Sequence, residues 1–284
     1  MIDALLEALM DSLKVLALAF VMFILLSFIE NALVQYLKKS KKVGPLMGAL
    51  AGIVPQCGIS VVASDLYIKK AISVGTLIAV FIACSDEALP ILLSSPKWYY
   101  GFILLGIKFV AGFLVGVVVD LIYFRNKETL TNPEVSESEV HIGCCGHRIG
   151  DKENPLHSHL IHPLVHSLKI FIYVLLINIG FALIIYYIGE DSILNFLETN
   201  KYLTPLFSII VGFIPNCASS VILTEFYLVG GMPFSALVAG LTVNAGLGMA
   251  YLLKDRKAVK NFPLIIGVLT LTALILGYAL IFIN

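Results

Sequence analysis

The chain has 284 residues, of which 59% are hydrophobic and 13% charged, and its mean hydropathy is +0.95. Hydropathy this high, with apolar runs long enough to cross a bilayer, indicates a polytopic membrane protein in contact with lipid and excludes a soluble globular domain. The 19 basic and 19 acidic residues balance, so net charge gives no reason to expect a nucleic acid as partner.

In chain order, the elements form two halves joined by a polar linker. Residues 1–13 place their apolar side chains on one helical stripe, which predicts an interfacial amphipathic helix. Residues 14–124 are the first transmembrane repeat and residues 166–284 the second. Residues 125–165 lack apolar periodicity, which is typical of a linker.

Each half contains three apolar runs and one segment built around a Pro-Cys motif. We expect each run to form one unbroken spanning helix. The runs cover residues 14–36, 71–93 and 99–124 in the first half, and residues 168–188, 234–253 and 262–283 in the second.

The Pro-Cys segments are copies of each other. "GIVPQCGISVVASDLY" begins at Gly52 and "GFIPNCASSVILTEFY" begins 160 positions later at Gly212. The two segments align without a gap, with prolines, cysteines and tyrosines at matching positions, which indicates an internal repeat. At this offset the matched pairs are Pro45 and Pro205, Pro55 and Pro215, Gln56 and Asn216, Cys57 and Cys217, Ser60 and Ser220, and Tyr67 and Tyr227.

Charge predicts that the two halves are inverted in the membrane. The loop at 38–42 contains four lysines, whereas the equivalent loop at 190–201 contains three acidic residues and one lysine. Basic loops stay in the cytoplasm, so the two loops are expected on opposite sides. With both termini outside and residues 125–165 in the cytoplasm, 15 of the 19 Lys and Arg residues are cytoplasmic.

Inversion requires an odd number of crossings in each half. The Pro-Cys segment is therefore predicted to enter and leave on one side, as a re-entrant broken-helix hairpin that turns at Pro55–Gly58 or Pro215–Ala218. If these segments crossed fully, each half would have four crossings and the basic loops would face opposite sides. The predicted fold is all-α, with two inverted repeats of three spanning helices and one hairpin each.

The hairpin tips are candidates for a transport site. A proline frees a backbone carbonyl one turn earlier, and freed backbone groups are tolerated in a membrane only inside protein or beside water. Two inverted copies of a broken element are typical of a transporter site. Alternatively, Pro and Gly only kink packed helices and Cys fills space. The predicted path is lined by Pro55, Gln56, Cys57, Ser60, Pro215, Asn216, Cys217, Ser220 and Asn244.

The stretch "CSDEALP" at 84–90 places Asp86 and Glu87 inside a predicted span. Carboxylates in a membrane are costly, and adjacent ones repel, so one is expected to hold a proton unless a cation is bound. We therefore predict that Asp86 or Glu87 couples transport to protons. The alternative places both near the outer mouth as solvated, structural groups. The second half has Gly246 and Leu247 at these positions, so the acids are not duplicated.

All six histidines lie between His141 and His166. Within "HIGCCGH", the residues His141, Cys144, Cys145 and His147 offer ligands that suit Zn(II), Cu(I), Cd(II) or a thiol-seeking metalloid. We interpret this loop as a cytoplasmic metal sensor or delivery arm outside the permeation site. The alternative is a flexible loop of biased composition.

The motifs "VPQCGISV", "CSDEALP" and "IPNCASSV" and the Cys/His-rich loop resemble the ten-helix heavy-metal exporter family, whose members are often labelled arsenic efflux or manganese transport proteins. The chain is more distantly similar to the arsenic permeases with paired Pro-Cys motifs. The resemblance covers most of the chain and implies export of a metal or metalloid. Ten helices would fit six spans and four half-helices.

The predicted function is secondary-active export of a heavy-metal ion or metalloid, such as an arsenical or manganese, by alternating access across a prokaryotic plasma membrane. The sequence has no GxxxxGK[ST] motif, so ATP use is not expected, and neither a catalytic residue nor a cofactor is predicted. The alternatives are a passive channel, a membrane thiol oxidoreductase using Cys57 and Cys217, and a transporter of a small organic substrate. Gly112 and Gly116 permit close helix packing within one chain or in a homo-oligomer.

Overall fold

A computed structural model of the chain describes residues 43–55, 57–85, 87–123, 141–142, 147–148, 202–215, 217–253 and 258–283, together with isolated positions within 13–24 and 164–179. Apart from those isolated positions, the predicted interfacial helix at 1–13 and the predicted spans at 14–36 and 168–188 lie outside the described residues.

The described helices repeat in the same order in the two halves, with almost the same lengths. The first half contains α1 (Gly44–Gly52), α2 (Cys57–Ile68), α3 (Val74–Ala83), α4 (Ala88–Ser94) and α5 (Trp98–Tyr123). The second contains α6 (Thr204–Gly212), α7 (Cys217–Leu228), α8 (Phe234–Val243), α9 (Leu247–Leu252) and α10 (Ala258–Ile283). The described elements confirm an all-helical class, with two two-residue strands in the linker, β1 (His141–Ile142) and β2 (His147–Arg148).

Four described segments are long and apolar enough to cross a membrane, and they confirm four of the predicted runs. They are Val74–Ser94, Trp98–Ile122, Phe234–Leu252 and Asn261–Phe282.

Two of these segments are broken near their middle, so the prediction of unbroken helices at 71–93 and 234–253 is wrong. Pro90 lies in the first turn of α4, where its missing N–H is tolerated, so it is compatible with a helix that starts anew at Ala88. The break between α8 and α9 occurs at Gly246, whose φ of +55° favours glycine. Each half therefore has a second broken element besides the Pro-Cys segment.

The Pro-Cys segment forms a helical hairpin in the described fold. Helix α1 runs parallel to α3, because a Cβ on Gly44 would meet Thr76 and a Cβ on Gly52 would meet Ala83. Helix α2 starts where α1 ends and leads into the turn that begins α3, so it must run back to the level where α1 started. The side of the fold with residues 69–73 is called the first face below, and the opposite side, with residues 95–97, the second face.

The second half repeats this hairpin. Helix α6 runs parallel to α8, since the Ser208 hydroxyl donates to the Ala236 carbonyl at 2.6 Å and a Cβ on Gly212 would meet Val243. The turns precede Cys57 and Cys217 and therefore lie about two residues earlier than predicted, because α2 and α7 already begin at the cysteines.

Helix α5 returns antiparallel along α4 and α3, and small residues allow the close approach. A Cβ on Gly112 would lie 2.8 Å from the Ala79 carbonyl, so these helices pack backbone to backbone. At the first face, the Asp120 carboxylate accepts hydrogen bonds from the Ser73 hydroxyl at 2.6 Å and the Gly75 N–H at 2.9 Å. These bonds satisfy backbone and capping groups at the start of α3.

The hairpins end in equivalent turns with different residues at the critical position. After α2 the Ala71 N–H donates to the Leu66 carbonyl at 2.8 Å, and Lys70 has a φ of +56°. After α7 the same position is Gly230, with a φ of +82°. This is the helix-ending motif in which glycine is favoured, so Lys70 adopts a strained left-handed conformation.

We expect Lys70→Gly to stabilise the protein by up to about 1 kcal/mol, because it removes the steric cost of left-handed backbone at a lysine. The matched change is Gly230→Lys, where an added Cβ would meet no heavy atom within 4 Å and only the backbone conformation opposes the side chain. That variant should be destabilised by about the same amount. Thermal unfolding of purified protein in detergent measures both, and equal stability of Gly230→Lys and wild type would contradict the strain.

Candidate functional site

The breaks of the two halves come together in the protein interior. Helix α9 packs on α2, and α7 packs on α4, so each half places a half-helix against the hairpin of the other. Polar side chains at the breaks, and on the helices that meet there, are buried in protein, although the surrounding helices are apolar. We call this group the central polar cluster; it consists of Ser60, Ser64, Ser85, Glu87, Lys108, Ser220, Thr224 and Asn244.

Glu87 lies at the break between α3 and α4, and only 1% of its surface is exposed. The Ser220 hydroxyl of the second half donates to its carboxylate at 3.3 Å. Glu87 is therefore enclosed by protein and not by solvent. A buried carboxylate is costly unless it is neutralised or hydrogen-bonded, so its presence here indicates a function or a specific partner. Asp86 lies outside the described residues.

Ser60 and Ser64 hold the first hairpin against α9. The Ser64 hydroxyl lies 2.8 Å from both the Ser60 and the Gly248 carbonyl oxygens. A Cβ on Gly248 would lie 2.5 Å from the Ser60 carbonyl oxygen, so only glycine allows this approach. The predicted path residue Ser60 is thus buried at the contact between the halves.

Lys108 was not among the residues predicted for the path, for coupling or for metal binding. It lies in the middle of α5, its surface is 0% exposed, and its ammonium donates to the Leu241 carbonyl at 2.7 Å and to the Cys84 carbonyl. Leu241 is in the last turn of α8, and Cys84 directly follows α3. A cation there complements the negative ends of both helices. The signal in the sequence was a lone lysine in a long apolar helix.

Asn244 stabilises the break between α8 and α9. Its side-chain oxygen accepts a hydrogen bond from the Gly246 N–H at 3.1 Å, and its surface is 3% exposed. The matching residue of the first half is Cys84, which is buried at the end of α3 and forms no disulfide. The structure therefore brings Asn244 into the central polar cluster, where its oxygen holds the backbone turn.

The predicted hairpin-tip residues are described in part. Pro55 is buried, whereas Pro215 is exposed, so the two tips have different surroundings. Cys57 and Cys217 are the first residues of α2 and α7, which places their backbones beside the breaks. Gln56, Asn216 and the side chains of the two cysteines lie outside the described part of the chain.

Matched tyrosines join the halves at each face. At the first face, the Asn261 amide donates to the Tyr67 hydroxyl at 2.7 Å, which places the start of α10 beside the end of α2. At the second face, the Tyr227 ring lies 5.7 Å from Tyr100 and 5.8 Å from Phe234, between ring centroids. The starts of α5 and α8 therefore lie beside the end of α7.

The Cys/His loop contains a short antiparallel pair whose register aligns His141 with Arg148 and Ile142 with His147. Strand β1 contacts α2, the helix that begins at Cys57. Cys144 and Cys145 lie outside the described residues, within which no three His, Cys, Asp or Glu side chains are grouped to hold a metal. The predicted ligand set in this loop stays a prediction.

Broken helices that meet around buried polar and charged groups are typical of membrane transporters. The chain matches the model of a family described as "Putative, 10TM heavy-metal exporter" over residues 1–179 and 150–283. These regions cover nearly the whole chain, which therefore belongs to this family. The search of curated proteins and the search of solved structures found no match.

We expect Gly248→Ala to destabilise the contact between α2 and α9 by about 1–3 kcal/mol, because the new methyl group overlaps the Ser60 backbone. The matched control is Gly106→Ala in α5, where a Cβ meets no heavy atom within 4 Å. That control should retain or slightly gain stability, since alanine favours a helix. Thermal unfolding in detergent compares the two, and equal melting temperatures would contradict the close contact.

Proposed function

We propose that this exporter-family chain is a secondary-active transporter that moves a heavy-metal ion or metalloid outward by alternating access through the central polar cluster. The observation that carries the proposal is the meeting of broken helices from both halves around Glu87, which is buried and bonded to the opposite half. Substrate and coupling sites of transporters are commonly built from such interrupted helices. No catalytic step is part of the proposal.

We also propose that the halves are inverted repeats with re-entrant hairpins. Helices α3 and α4 run from the first face to the second, where the Tyr227 contacts place the start of α8. Helices α8 and α9 lead back toward the first face, where the Asn261 contact places the start of α10. These contacts support opposite directions for equivalent elements, as the loop charges predict.

In this proposal the first face is cytoplasmic. Lys69 and Lys70 lie in the turn at the first face, whereas Lys97 lies at the second. Basic residues near the ends of spans are retained in the cytoplasm. Both termini are then outside a prokaryotic plasma membrane, and the linker at 125–165 is inside.

The topology predicts which positions a membrane-impermeant thiol reagent reaches. In a background without native cysteines, Ser40→Cys and Arg256→Cys should label only after the membrane is opened or inverted. Asn195→Cys should label in intact cells. Positions 40 and 195 should label from opposite sides because an odd number of crossings separates the two equivalent loops. Labelling of positions 40 and 195 from the same side would contradict inversion.

We propose a soft metal ion or trivalent metalloid as substrate. Three cysteines lie at the breaks: Cys57 starts α2, Cys217 starts α7 and Cys84 directly follows α3. Thiolate ligands select soft metals over hard ones such as magnesium. The contact of β1 with α2 supports a role for the Cys/His loop in delivering metal toward the first hairpin.

We propose that Glu87, with Asp86 beside it in sequence, exchanges a proton for the transported cation. A bound cation favours the charged carboxylate and a proton the neutral form, so binding one expels the other. The Ser220 hydroxyl can donate to the carboxylate, and it belongs to the half that must move relative to α4 during alternating access. The membrane potential supplies about 2.3 kcal/mol for each elementary charge that moves across a potential of 100 mV.

Transport in inverted vesicles tests this function. Wild type should accumulate one or more of Mn, Zn, Cd, Cu, arsenite and methylated arsenicals against a gradient, and a protonophore should abolish the accumulation. Glu87→Gln, or else Asp86→Asn, should abolish uphill transport but retain metal exchange down a gradient, because the amide keeps the shape and loses the proton exchange.

Cys57→Ala should weaken transport of soft ions most.

The matched control for coupling is Asp65→Asn. Asp65 is also buried, but it forms an ion pair with Lys69 at 2.8 Å near the first face and not at a break. The Asp65→Asn variant should therefore retain proton-driven accumulation of the metal. If Asp86→Asn and Glu87→Gln both concentrate metal as well as wild type does, the coupling role is excluded. If wild type moves none of the metals, the export proposal fails.

A further inference from the structure

The ammonium of Lys108 occupies a position built by two helix ends. Its nitrogen donates to the carbonyls of Cys84 and Leu241, which come from α3 in the first half and α8 in the second. Both helices are interrupted directly beyond these carbonyls, so the residues that would donate to them in a continuous helix are displaced. The lysine therefore satisfies backbone acceptors that the breaks created.

Carbonyl oxygens at the ends of interrupted helices are ligands for small monovalent cations. In membrane transporters, unwound carbonyls and half-helix C-terminal ends coordinate Na⁺ or H⁺. The negative ends of two helix dipoles strengthen the attraction. An ammonium group is similar in charge and size to a potassium ion, and the distance from Nζ to the Leu241 oxygen is 2.7 Å.

The charge is present in one half only. Gly116 and Gly277 make equivalent contacts, with Ala79 and Pro45 in the first case and Ala239 and Pro205 in the second. When α5 is aligned with α10 in this way, Leu269 is the residue of the second half that is equivalent to Lys108. Leu269 is fully buried. One lysine thus serves the broken helices of both halves.

We propose that the carbonyl ends of α3 and α8 form a monovalent-cation site that the chain fills with its own Lys108 ammonium. The side chain is a tethered substitute for a free Na⁺ or K⁺ ion. The wild-type protein then needs no free monovalent cation at this position, and the positive charge holds the two halves together there. This inference does not depend on which substrate the chain exports.

Removal of the lysine should expose the site to ions from solution. Lys108→Ala, purified in choline chloride, should melt at a lower temperature than wild type because choline is too large to enter. Ammonium, potassium or sodium chloride at the same ionic strength should restore part of the loss, with at least one of them saturating as its concentration rises. Wild type should show no such difference between cations.

Two variants serve as controls. Lys108→Met keeps most of the side-chain volume without the charge, so it should melt low in every salt because no room is left for an ion. Lys97→Ala removes the lysine at the start of α5, whose nitrogen lies 4.7 Å from the centre of the Tyr227 ring. It should show no cation-specific effect.

The measurement needs only unfolding curves, so it remains decisive if vesicle transport fails. A Lys108→Ala protein whose melting temperature is the same in choline, ammonium, potassium and sodium chloride would overturn the proposal. A Lys108→Ala protein that folds in none of the four salts would also overturn the proposal, because a free cation should replace the ammonium group in at least one of them.

Discussion

The fold depends on the need to satisfy backbone groups where four helical elements are interrupted inside a membrane protein. Four short interruptions separate consecutive helices: α1 from α2, α3 from α4, α6 from α7 and α8 from α9. No lipid can bond the freed N–H and C=O groups, so other parts of the protein must. The Lys108 ammonium, the Ser64 hydroxyl and the Asn244 side-chain oxygen each bond a backbone group beside a break. The halves are thus joined by their own interruptions.

Symmetry of the backbone and asymmetry of the charges have different consequences. Equivalent helices of the two halves differ by at most one residue in length, which indicates two copies of one structural unit. Yet Glu87 corresponds to Leu247, and Lys108 corresponds to Leu269. A buried charge is costly, so placing Glu87 and Lys108 in one half only incurs that cost once, while both side chains still contact the other half. The repeat supplies the scaffold, and the residues that differ between its copies supply the chemistry.

The repeat, the membrane class and the hairpins could be predicted because each has a local pattern: the gapless motif, hydropathy, and the proline in each tip. The breaks at 84–87 and 244–246 were missed because hydropathy continues across them, although Pro90 and Gly246 were visible signals. The contacts of Lys108 could not be predicted, since its acceptors lie 24 and 133 residues away. Such contacts arise only from the way the halves pack.

The two hairpin tips differ in exposure although their sequences match, since Pro55 is buried and Pro215 is exposed. This difference is what the proposed alternating access requires, because the exposed tip would change when the two halves exchange environments. The contacts that would have to change lie at the faces, where Tyr67 meets Asn261 and Tyr227 meets Tyr100. Lys108 is bonded at the centre to helices that approach from opposite faces, so any movement of one half against the other would have to keep or break these bonds.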